Sequence, residues 1–148
     1  MIATPPPSTS ARLLEVCTPR ALVCCHRLEA PILLFVVAGH GDGEAASRIV
    51  EWTSTASASG PLHVFHDWRR MTGYDSAARE RLSRHVQEMG PRIASANLLV
   101  ESRIMAMGVQ VANMLLGGRL VTYSAREAFA AAMQASGATP AALADILE

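Results

Sequence analysis

Three short runs rich in valine, isoleucine, leucine and cysteine stand in succession, Leu13 to Cys17, Leu22 to His26 and Ile32 to Val37, punctuated by Thr18-Pro19 and Glu29-Ala30-Pro31. The gaps leave no room for a helix, so these runs are expected to pair as an antiparallel hairpin or meander. Gly39-His40-Gly41-Asp42-Gly43 is expected to break the third strand. From Glu44 the pattern changes to helical spacing through Ala46, Ile49, Val50 and Thr53, and this helix should fray in the Ser/Ala stretch before Gly60-Pro61. Strands and helices then alternate to the end of the chain. A run of strands followed by such alternation predicts an α/β domain with a mixed, mainly parallel sheet.

The later elements carry their own boundaries. Leu62 to Asp67 reads as a strand, and Asp75 or Ser76 as the N-cap of a helix to Met89 whose stripe is Ala78, Leu82, Val86 and Met89. Gly90-Pro91 ends it, Asn97 to Val100 follows as a short strand, and a third helix runs from Arg103 to Leu116, stopped by Gly117-Gly118. Leu120 to Tyr123 is the next strand. Ser124 and Glu127 have the spacing of a capping box for a helix reaching Ser136, and Thr139-Pro140 has the form of an N-cap before a short final helix.

A chain of 148 residues suits one domain, here 12–148, behind a Pro/Ser/Thr-rich flexible tail over residues 1–11. Thirteen basic residues balance thirteen acidic ones, so no net field gathers nucleic acid or an anionic membrane. The longest strongly apolar run, Ile32 to Ala38, is far short of the roughly 20 residues that span a bilayer as a helix. The N-terminus lacks the basic and apolar regions of a secretory signal, and Cys17, Cys24 and Cys25 form an odd set. Buried, reduced thiols and a cytoplasmic location are expected.

None of the constellations that carry chemistry is complete. Gly39-x-Gly41-x-Gly43 lies between a strand and a helix, as a phosphate loop would, but Glu44 stands where the dinucleotide fingerprint needs glycine. Asp42 and Glu44 would repel a pyrophosphate and are suited to capping the helix themselves. His63 and His66, three apart on a strand, point to opposite faces and do not chelate one ion; His26, His40 and His85 lie in unrelated elements. Neither a nucleophile elbow nor a cysteine signature is present. The expectation is a protein that is not an enzyme, with no metal and no cofactor.

Two features point instead to contacts. Asp67, Trp68, Arg69 and Arg70, continuing to Tyr74, combine an aromatic with arginines in what reads as a loop, the composition of an interface hot spot; the equal alternative is that Trp68 packs under the loop that follows. The third helix is apolar over more than half its circumference, through Ile104, Met105, Met107, Val109, Val111, Met114, Leu115 and Leu116. It is either sandwiched within the domain or meets another subunit through residues such as Met105, Met107 and Met114, whose side chains suit adaptable contacts.

The element order, with a strand ending Val64-Phe65-His66-Asp67 and a late Leu120-Val-Thr-Tyr-Ser-Ala-Arg-Glu-Ala-Phe129, resembles the STAS domains, in particular divergent STAS/SEC14-like bacterial proteins related to anti-sigma-factor antagonists. The resemblance spans Leu13 to Gln134. It implies a regulatory module that docks a protein partner, with a homodimer as one form. In those antagonists the strand before the second helix ends in an Asp-Ser-Ser-Gly turn whose serine is phosphorylated; here Asp67 is followed by Trp68-Arg69-Arg70, without that serine. The SEC14-like branch implies an alternative, a carrier or sensor holding a lipid or nucleotide near the strand ends.

Overall fold

Six strands hydrogen-bond side by side in the order in which they occur along the chain, β1-β2-β3-β4-β5-β6. The structure is a computed structural model and describes residues 13–28, 31–140, 143 and 147. The expected tail and most of the segment after Pro140 lie outside the described residues. The strands are β1 Leu13–Cys17, β2 Ala21–Arg27, β3 Ile32–Gly41, β4 Leu62–Tyr74, β5 Ile93–Leu99 and β6 Leu120–Tyr123. The helices are α1 Gly43–Ala56, α2 Ser76–Met89, α3 Arg103–Leu115 and α4 Arg126–Ala135. The first three strands form an antiparallel meander, and β3 through β6 run parallel, connected through α1, α2 and α3.

Central strands buried on both faces need apolar residues at every position, and β3 supplies them. Leu33, Phe35 and Val37 face a core shared with Ala45 and Ile49 of α1, while Ile32 and Leu34 face Phe129 and Met133 of α4 together with Leu143 and Leu147. Phe65 and Phe129 meet edge to face at 5.4 Å. A third cluster joins Leu98 and Val100 to Met105 and Val109 of α3.

Two strands run past their expected ends. The glycine-rich stretch does not break β3, and β4 continues seven residues beyond Asp67, because the two extensions pair with each other: Ala38 with Arg70, Gly39 with Met71, His40 with Gly73 and Gly41 with Tyr74. Register shifts between Val36 and Ala38 and between Gly39 and His40 absorb the mismatch as bulges, the setting in which strands tolerate glycine. Gly39 has φ of +86°, and a Cβ there would strike the Arg20 carbonyl. The residues expected to form a docking loop are therefore sheet.

Local chemistry confirms some boundaries and moves others. Asp42 caps α1: its carboxylate accepts from the Ala45 amide at 2.9 Å and from the Thr18 hydroxyl at 2.7 Å. The capping box at Ser124 and Glu127 does not form. The N-cap of α4 is Ala125, without a side-chain bond, and Glu127 instead lies 3.7 Å from Arg126, which also donates to the Leu147 carbonyl. All three cysteines are free, but only Cys25 is buried, with its thiol pushed up to about 12 by burial; Cys17 is exposed because β1 is a sheet edge.

Candidate functional site

Strand alternation divides the residues expected to dock a partner between the two faces of the sheet. Asp67 is buried and chelated by Arg69, with Nε to Oδ1 at 3.0 Å and Nη2 to Oδ2 at 2.8 Å; Arg69 Nη2 also reaches the Leu147 carbonyl at 3.5 Å. Arg69, held by Asp67, ties the sheet to Leu147. Trp68 points the other way, half-buried between His66 and Tyr74 at ring separations of 5.7 and 6.3 Å. Of Asp67 to Arg70 only Arg70 is exposed. Tyr74 is half-buried, its hydroxyl lying against Gly108 of α3.

The helix α3 has two apolar faces. Met105, Val109 and Leu116 are buried, so Met105 belongs to the core and not to an outer surface. On the opposite arc Ile104, Met107, Val111, Met114 and Leu115 are 61 to 83% exposed. Between the faces, Asn113 holds β6 in place: its amide donates to the Leu120 carbonyl at 2.8 Å and its oxygen accepts from the Leu120 amide at 2.7 Å. The breadth of apolar surface was legible in the sequence; its division into an inner and an outer face follows from where the sheet lies.

A cleft that sequence reasoning missed lies between the inner faces of α2 and α3 and the sheet. It has a volume of about 90 Å³, and its lining is almost entirely apolar. The cleft persists because α2 packs on α1 but scarcely touches α3. Three ring nitrogens on its lining residues are buried without a partner among the described residues: His66 Nδ1, Trp68 Nε1 and His85 Nε2. Burial, and to a lesser degree the neighbouring His85, lowers the pKa of His66 to about 4, and burial likewise lowers that of His85. A signal for His85 existed, since Ala78, Leu82, His85 and Met89 fall on one helical stripe.

The remaining candidates are held by ordinary contacts. His63 bonds Ser95 at 2.7 Å on the face opposite His66, and the described residues contain no cluster of three or more metal-ligating side chains. His40 Nε2 lies 2.6 Å from Asp75 Oδ1, which Arg20 also reaches at 3.3 Å. Because β4 ends at Tyr74 and not at Asp67, the turn into α2 is Asp75-Ser76, and Ser76 is exposed. No helix among the described residues is long and apolar enough to cross a membrane.

No family model and no curated protein matches the chain. Solved structures do. The unphosphorylated form of the anti-sigma factor antagonist SpoIIAA superposes with a TM-score of 0.57 at 18% identity, covering 78% of this chain and 98% of that one. The phosphorylated form of SpoIIAA, described as a Bacillus cell fate determinant, gives 0.50 at 16% identity over 74% and 98%. An uncharacterised protein of the DUF3478 family with a SpoIIAA-like fold, from Shewanella loihica, gives 0.55 at 14% identity over 77% and 90%. The antiparallel start and the parallel remainder of the sheet are thus those of the SpoIIAA-like fold.

Proposed function

We propose that this chain is a non-enzymatic regulatory module of STAS type that docks a protein partner through the outer face of α3, and that the same face pairs two copies of the chain when no other partner is present. The observation that carries the reading is the outer apolar arc. Ile104, Met107, Val111, Met114 and Leu115 form a set of large apolar side chains that the domain's own core does not use. Two methionines in it, Met107 and Met114, give the surface adaptability. Arg70 is the one member of the Trp-Arg-Arg segment free to join a contact. Asp67 takes no part in this docking, because Arg69 occupies both of its carboxylate oxygens.

Light scattering over a concentration series tests the reading. The wild-type chain should exceed the monomer mass as concentration rises, and Met107→Lys with Met114→Lys should return it to monomer with an unchanged melting temperature. A wild-type chain that stays monomeric throughout, or a double variant that associates as before, overturns it.

A further inference from the structure

We propose that the cleft between α2 and α3 is a binding site for a single-chain monocarboxylate, with its hydrocarbon tail in the cleft and its carboxylate at Arg79 on the rim. The tail follows from the space. Ala45 of α1, Ala78 of α2, Ala96 of β5 and Ala112 of α3 bring small side chains to one volume of about 90 Å³, which a larger side chain at any of them would reduce. An empty cavity destabilises a fold in proportion to its volume, and an apolar one is not relieved by water. Side chains such as Ile49, Leu82 and Leu98 form its walls, so hydrocarbon fills it without stranding a polar group. The volume is smaller than the engineered cavity of about 150 Å³ that takes up benzene, and by that proportion it holds about four carbons. It suits one unbranched chain whose remainder leaves between α2 and α3, which scarcely touch.

The head group follows from charge. The lining contains one carboxylate, Asp42, and one guanidinium, Arg79. Asp42 is already engaged through both oxygens, by the Ala45 amide and the Thr18 hydroxyl. Arg79 is exposed and makes no ion pair among the described residues. It stands one helical turn before Ser83, which also lines the cleft, so the guanidinium sits where the cleft reaches the surface along α2. The free charge at the rim is therefore positive and complementary to an anion. A carboxylate held there keeps part of its hydration while its tail leaves water, and an ammonium on the same tail would meet Arg79 with like sign.

Titrating the full chain with octanoate, followed by its ¹H–¹⁵N spectrum, should give saturable shifts at the Gly108 and Ala112 amides and at the Trp68 indole, all on lining residues. Affinity should rise about fourfold per methylene from butanoate to octanoate, the worth of burying each group. Octylammonium, which has the same length of chain and the opposite charge, should bind about tenfold more weakly, and Arg79→Gln should bring the two within about threefold. Ala112→Leu and Ser83→Leu, which fill the cleft from α3 and from α2, should each weaken octanoate binding about tenfold in a protein that still melts cooperatively. A non-saturating shift, equal affinity for octanoate and octylammonium, a preference that survives Arg79→Gln in full, or undiminished binding in either folded leucine variant overturns the assignment. None of these variants alters a residue of the outer face of α3, so the docking reading and this one fail independently.

Discussion

The hydroxyl of Tyr74, at the last position of β4, occupies the space that a Cβ on Gly108 would fill in the middle of α3. Glycine in a helix interior normally costs about 1 kcal/mol against alanine, so Gly108→Ala would stabilise an isolated helix. Here the collision wins. Displacing a half-buried ring costs about 1–3 kcal/mol, and Gly108→Ala is expected to lower stability by ~1 kcal/mol net. In a Tyr74→Phe background the hydroxyl is gone and the same substitution should become neutral or stabilising. A double-mutant cycle by urea unfolding measures the sign change; two destabilising values would show that the helix, and not the hydroxyl, sets the cost.

The Asp67–Arg69 pair should behave as a structural fastening. Asp67→Ala strands a guanidinium that is 17% exposed, and breaking a buried pair from one side costs about 3–5 kcal/mol. The double substitution Trp68→Ala with Arg69→Ala is likewise expected to depress the melting temperature, because neither side chain is a free surface group. A variant pair that melts like the wild type would restore the exposed-loop picture that composition alone suggests.

Stability should fall on the acid side. His66 titrates near 6.5 when unfolded and at about 4 when folded, so between these values the unfolded chain binds more protons. The neutral ring's contribution is complete above about pH 6.5 and is lost as pH falls toward 4, amounting to ~2 kcal/mol by pH 5 for this group. His85, shifted in the same direction, adds to the slope. Urea unfolding at pH 7.5 and pH 5 measures the difference, and His66→Phe should flatten it. An unaltered slope in that variant would assign the dependence elsewhere.

Asn113→Ala removes both side-chain bonds to Leu120 and leaves that residue's amide and carbonyl without them. The expected loss is about 1–2 kcal/mol, concentrated at the sheet edge. Hydrogen exchange should accelerate at β6 while amides of β3 and β4 keep their protection. Uniform acceleration would mean that β6 does not open on its own.

Much of the architecture is written locally. The succession of three strand-like runs, the helical spacing from Ala46 to Thr53, and the stops at Gly90-Pro91 and Gly117-Gly118 are short-range signals, and the elements stand close to where those signals put them. Asp42 as a cap is equally local, because an N-cap needs only a carboxylate within reach of the first turn. The breadth of apolar residues on α3 was also plain, and it supplied the candidate surface.

Other features depended on residues distant in sequence. Gly41 reads as a strand breaker until it is seen beside the extension of β4, where the missing side chain admits Met71; Gly73 opposite admits His40 in the same way. Asp67 resembles an exposed acid until Arg69, two residues on and on the same side of the strand, closes over it. Met105 and Met107 are indistinguishable by composition; the position of the sheet buries the first and leaves the second outside. The sequence by itself therefore determined the order and kind of the elements, through periodicity and capping. Only the tertiary structure decided which faces are inside, because that depends on which neighbour each face meets, and the unpartnered nitrogens of His66, Trp68 and His85 come together only once the sheet and α2 are assembled.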